Sequence, residues 1–124
     1  MFTYSEPVQL LHAIGMPPKY RGFAYLTYIL HITKQHPEYI YQITTKIYPM
    51  VIEKYQTGKY CVEKNIRFAI RKAWENGNKP LLNKIFNTKR DNWPPTNSEF
   101  ISTMTLLLFS DGQMDVQMSM EFLD

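Results

Sequence analysis

The residues best suited to chemistry lie between Thr57 and Gly77, in the stretch TGKYCVEKNIRFAIRKAWENG. Lys59, Lys64, Arg67, Arg71 and Lys72 supply cations, Glu63 a carboxylate and Cys61 a thiol, all within the length of one helix. Arg and Lys reach the acceptor atoms of guanine, a carboxylate accepts from cytosine N4, and any cation contacts phosphate. Turned about 100° per residue, Val62, Ile66, Ala69, Ile70 and Ala73 share one apolar sector with Trp74 at its edge. Opposite that sector lie Tyr60, Lys64, Arg71 and Glu75, with Arg67 on one shoulder and Cys61 on the other. Glu63 and Arg67 stand four apart, a spacing that predicts an ion pair orienting the guanidinium. Phe68 points outward on this basic helix and is expected to pack beneath the Asn92–Pro95 loop rather than touch a thymine methyl.

Other chemistries find little support. His12, His31 and His36 do not share a metal-ligand spacing, and one cysteine cannot build a cysteine-rich zinc site or an internal disulfide. No Ser–His–Asp or Cys–His set and no glycine-rich phosphate loop occurs, so no enzyme activity and no cofactor is expected. Cys61, beside Lys59 and Lys64 near a helix start, is a candidate low-pKa thiol on the same face, although a bystander is the simpler reading.

The elements that position this face read as helices. SEPVQLLHAIG offers Ser5 or Glu6 as a cap, Pro7 early in the helix, Val8, Leu11 and Ile14 on one face, and Gly15 as a stop. Phe23, Leu26, Ile29, Leu30 and Thr33 repeat at three and four until Pro37. Thr44–Gln56 gives a short third helix in which Pro49 either kinks the start or marks it. Thr57 and Gly58 turn the chain into the basic helix, about Lys59–Asn76, making a helix-turn-helix pattern. Leu81, Leu82, Ile85 and Phe86 form a brief helix. After the NTKRDNWPP loop, Thr96–Glu99 matches a capping box ahead of Phe100, Met104, Leu107 and Leu108. The fold class is therefore all-α, a compact bundle of about six helices.

Charge divides the chain. Residues 1–109 hold all 14 bases against seven acids, a net +7, whereas residues 110–124 hold four acids and no base. Ten bases fall within Lys54–Arg90 against Glu63 and Glu75 alone, which points to a polyanionic partner, nucleic acid first. Lys84, Lys89 and Arg90 are candidate phosphate contacts. In the acidic tail Met114, Val116, Met118, Met120 and Phe122 alternate with polar residues, the period of a strand. A disordered tail, pairing with another chain and docking on its own domain all remain open; if ordered, it would supply a dimer contact or screen the basic face. No apolar run reaches the roughly 18 residues of a membrane span, and the start lacks the charge of a secretory signal. A cytoplasmic protein with no membrane partner is expected.

The segments LLHAIGMPPKYRGFAYL, ITTKIYPMVIEKY, VEKNIRFAIRKAWENGN and PTNSEFI resemble, in order, the C-terminal effector domains of the stage zero sporulation protein A family. The likeness runs from about Val8 to Phe109. It implies a DNA-binding transcription regulator of the sporulation-initiation type, one that reads TGTCGAA-type boxes, often as head-to-tail dimers on tandem sites. Carried over by position, the base-reading set falls on Cys61, Glu63, Lys64 and Arg67. Lys64 stands where the family has Arg and lacks its planar fork, and Cys61 stands where the family has another Arg. Each lost bidentate contact removes roughly 1–3 kcal/mol of discrimination, so a relaxed or altered box is expected. Lys59, Tyr60 and Arg71 are expected mainly on the DNA backbone. The receiver domain usual in the family has no counterpart in these 124 residues, so the chain reads as a stand-alone relative or an excised domain. The rival reading, supported by positions 61 and 64, is an interaction protein that keeps the fold and modulates a full-length regulator or RNA polymerase.

Overall fold

The computed structural model describes residues 5–86 and 94–109. Six α-helices occur among them: α1 Ser5–Ala13, α2 Arg21–Gln35, α3 Tyr48–Tyr55, α4 Lys59–Asn76, α5 Lys79–Phe86 and α6 Asn97–Phe109. No strand is present among the described residues. The alternating segment 114–122 lies outside them.

The centre of the bundle is α2. Phe23, Tyr25, Leu26, Ile29, Leu30 and Ile32 are buried around most of its circumference, as a helix enclosed on several sides requires. It packs on α4, α6 and α1. Thr33 belongs to the same enclosed surface, and its hydroxyl meets the Thr105 hydroxyl of α6 at 2.7 Å with both residues fully buried. Each hydroxyl thereby keeps a partner that burial would otherwise deny it. At the outer edge Lys34 pairs with Glu6 at 2.6 Å and ties α2 to α1.

Gly15 ends α1 as its position suggests. It stands at φ +89°, and the Met16 N–H returns to the Leu11 carbonyl at 3.1 Å. Leu11 and Ile14 are buried, but Val8 is 37% exposed, because α1 lies at the rim of the bundle and only part of its apolar stripe is covered. Asn78 joins the ends of α1 and α4. Its N–H bonds the Ile14 carbonyl at 2.9 Å, and its side-chain oxygen accepts the Leu81 N–H, so α5 begins two residues ahead of its first leucine.

The third helix begins later than Thr44. Pro37–Gln42 is a 3-10 segment and Ile43–Ile47 a π-helical turn, and α3 starts at Tyr48 with Pro49 in its first turn, where a missing N–H costs nothing. The turn into α4 starts at Gln56, a non-glycine residue in the left-handed region at φ 53°. The N–H groups of Gln56 and Thr57 both reach the Ile52 carbonyl and close α3. The capping box is formed: the Thr96 N–H bonds Glu99 Oε1 at 2.9 Å, and the Glu99 N–H bonds Thr96 Oγ1 at 3.1 Å.

Gly22 sets how closely α2 and α4 approach. A Cβ there would lie 2.2 Å from the Asn65 carbonyl oxygen and 2.7 Å from Ala69 Cβ. Gly22→Ala is expected to lower the unfolding free energy by about 1–3 kcal/mol in chemical denaturation, although alanine is the better helix former by ~1 kcal/mol. At Gly58, where a Cβ meets open space, serine is expected to change stability by only a few tenths of a kcal/mol, roughly.

Candidate nucleic-acid interface

The inner face of α4 is sealed. Val62, Ile66, Ala69, Ile70 and Ala73 are at most 1% exposed and Trp74 6%, so the helix is held against α2, α3, α5 and α6 by side chains without polar function. Trp74 packs edge-on to Phe86 and Phe100, whose rings stack at 5.5 Å. The opposite face is therefore fixed in direction.

That face carries Lys59, Tyr60, Lys64, Arg67 and Arg71, all exposed, Tyr60 at 76%. Among the described residues no ion pair engages any of these four cations; the acid–base contacts present are Lys34–Glu6, Lys72–Glu75 and His36–Glu38. Lys64 lies over the Tyr60 ring at 5.7 Å, a contact that orients both without neutralising the charge. Lys64, Asn65, Arg67, Phe68 and Arg71 line an open depression of about 370 Å³. Gly58, ahead of α4, gives no side-chain cap, and the first turn has no acid. The backbone N–H groups there add partial positive charge to the same end as Lys59.

Two local expectations change. Glu63 and Arg67 do not pair: Glu63 is half-buried against the start of α6, where Asn97 Nδ2 donates to its carbonyl at 3.1 Å, while Arg67 extends into solvent. Phe68 packs edge-on to Tyr20 at 5.0 Å with Lys72 above it; Asn92 and Trp93 of the loop expected to cover it lie outside the described residues. Cys61 is turned toward α2 rather than the outer face. Its Sγ accepts from Asn65 Nδ2 at 3.2 Å and lies 4.0 Å from the Tyr25 hydroxyl.

The thiol of Cys61 is held below its ordinary range, chiefly by a hydrogen bond from the Thr57 side chain, against partial burial and helped by Tyr25, Asn65 and the nearby Arg21 charge. Tyr48, the buried first residue of α3, has its phenol pushed above the usual range by burial, opposed by a hydrogen bond from Asn97. Charges on Glu63 and Arg67 act on the same phenol in opposite senses. Lys84 is exposed on α5, and Lys89 and Arg90 lie outside the described residues.

Sequence reasoning missed Tyr48, Asn65, Asn97, Tyr20 and Arg21. Only Asn97 carried a signal, its place directly after the capping threonine. No group of three His, Cys, Asp or Glu side chains that could hold a metal occurs among the described residues, and no helix there is long and apolar enough to cross a membrane.

A helix anchored on one side, bare and cationic on the other, and entered from a short helix through a three-residue turn has the build of a helix-turn-helix DNA-binding domain. The family model for the sporulation initiation factor Spo0A C-terminal domain matches residues 8–108, and the chain belongs to that family. The family is one of transcription-factor DNA-binding domains of sporulation initiation.

The bonds around Cys61 yield a measurable expectation. Alkylation of Cys61 in the folded protein is expected to reach half its maximal rate at a lower pH than a free cysteine thiol. Thr57→Ala should move that midpoint upward, because it removes the largest stabiliser of the thiolate.

Proposed function

We propose that this domain binds double-stranded DNA in a sequence-specific manner and regulates transcription, with α4 in the major groove. The observation that carries this reading is the outer face of α4, where Lys59, Lys64, Arg67 and Arg71 stand exposed and, among the described residues, without ion-pair partners on a helix whose other side is wholly buried. A surface evolved only for solvation would scatter acids among these bases; here a phosphate backbone would neutralise them.

In this reading Glu63, Lys64 and Arg67 read base edges of a TGTCGAA-type box, and Lys59, Tyr60 and Arg71 contact sugar and phosphate. Cys61 belongs beside the readers rather than among them, since its thiol faces α2. Lys84, Lys89 and Arg90 extend the phosphate contacts. Tandem boxes would seat two copies head to tail, and a DNA-bound copy would work on RNA polymerase. Such a role belongs to the nucleoid, in the cytoplasm.

One observation favours a protein partner as the second reading. Phe109 at the end of α6 is more than half exposed, an apolar ring of the kind a full-length regulator or polymerase would cover.

Fluorescence anisotropy with boxed and scrambled duplexes at two salt concentrations separates the readings. The box is expected to bind about tenfold tighter, roughly 1.4 kcal/mol, and Arg67→Ala should remove that preference. Affinity for both duplexes should fall steeply as salt rises. Equal or absent binding to the two duplexes would turn the search toward protein partners.

A further inference from the structure

The least explained polar side chain near α4 is Asn97, the first residue of α6. Its Nδ2 lies 3.1 Å from the Glu63 carbonyl oxygen, 34 positions away in sequence. That carbonyl sits inside α4, where the helical pattern already commits it to the N–H of Arg67, four residues on. A carbonyl has two lone pairs, and Asn97 takes the second. The bond is therefore made to the peptide unit that links Glu63 to Arg67 through the helix ladder.

Asn97 is itself firmly held. The reciprocal Thr96–Glu99 bonds fix the start of α6, and Phe100, three residues on, is fully buried in the aromatic stack with Trp74 and Phe86. Its carboxamide also acts on the buried Tyr48 phenol at the start of α3, lowering a pKa that burial raises. One carboxamide thus ties the start of α6 to the middle of α4.

We propose that Asn97 is a positioning residue that fixes the height and rotation at which α4 presents Glu63 and Arg67 to a base pair. The inference rests on the reading of α4 as the base-reading helix. Apolar contacts seal α4 to the core but carry none of the distance and angle requirements of a hydrogen bond. Base reading requires donor–acceptor distances near 2.7–3.2 Å, and a site held within about 0.5 Å keeps them. A directional bond from a rigid neighbour, placed at the reading residues, supplies that restraint. Phosphate contacts from flexible lysines tolerate a larger displacement.

The test uses the full 124-residue chain and two variants. Asn97→Ala removes the donor. Asn97→Asp keeps the shape and favours the helix start electrostatically, so the donor can be removed even if alanine impairs folding. Two quantities are read: the ratio of affinities for boxed and single-base-substituted duplexes, and the hydrogen-exchange rate of the Arg67 amide in the free protein.

Both variants are expected to cut the affinity ratio about fivefold, with scrambled-duplex affinity in Asn97→Ala within about twofold of wild type. They should also speed Arg67 exchange about tenfold relative to amides in α2. Equal weakening on all duplexes, or an unchanged ratio and unchanged exchange, would overturn the proposal and leave Asn97 as an ordinary first-turn residue of α6. If the wild-type protein itself shows no preference among duplexes, the base-reading assignment fails. The exchange rate then still decides whether Asn97 fixes α4.

Discussion

The contact on which the rest of this molecule depends is the approach of α2 to α4 at Gly22. With no side chain at that position, the backbone of α4 at Asn65 rests on α2 at a distance no Cβ would permit. Closure at this point covers Val62, Ile66, Ala69 and Ala73 and leaves α4 a single free face. Within α4, the Asn65 amide bonds the Cys61 carbonyl at 2.8 Å and its sulfur at 3.2 Å, on the side of the helix that faces α2. The cations occupy the face that this closure leaves free.

The electrostatics follow from the same arrangement. Within α4 the one acid–base pair among the described residues is Lys72 with Glu75, while Glu6 holds Lys34 and Glu99 closes the capping box. Among the described residues Lys59, Lys64, Arg67 and Arg71 have no ion-pair partner within a helix of 18 residues. Like charges at this density repel one another and disfavour the folded state slightly. The apolar seam beneath them outweighs that repulsion, since each fully buried Val or Ile contributes about 1.5–3 kcal/mol. A helix built in this way stores unneutralised charge on a rigid support, which is what a polyanion can use.

Much of this was legible in the residues themselves. The apolar sector of α4, its limits at Lys59 and Asn76, the capping box at Thr96–Glu99 and the glycine stop at Gly15 are local patterns, and each appears as its spacing implies. Features that depend on neighbours far along the chain were not legible. Residues 44–47, expected to open the third helix, wind instead as part of a π segment that follows the 3-10 stretch at 37–42, with Ile43 and Ile47 both buried. Glu63 has the spacing to pair with Arg67, yet the start of α6 takes up its backbone and partly covers it. Phe68 looks stranded on a charged helix until Tyr20, 48 positions earlier, comes to rest against it. Gln56 in the left-handed region gives no sequence signal at all, since glycine or asparagine is the usual occupant.

The central claim is that the outer face of α4 is the surface that meets the bases of the duplex. It is tested most directly by mapping backbone amide chemical shifts of the full chain as a boxed duplex is added. The account predicts that the largest changes fall on Lys59, Tyr60, Lys64, Arg67 and Arg71, with α2 and the buried side of α4 nearly still. Changes centred instead on Leu106 and Phe109 of α6, with α4 unaffected, would contradict it.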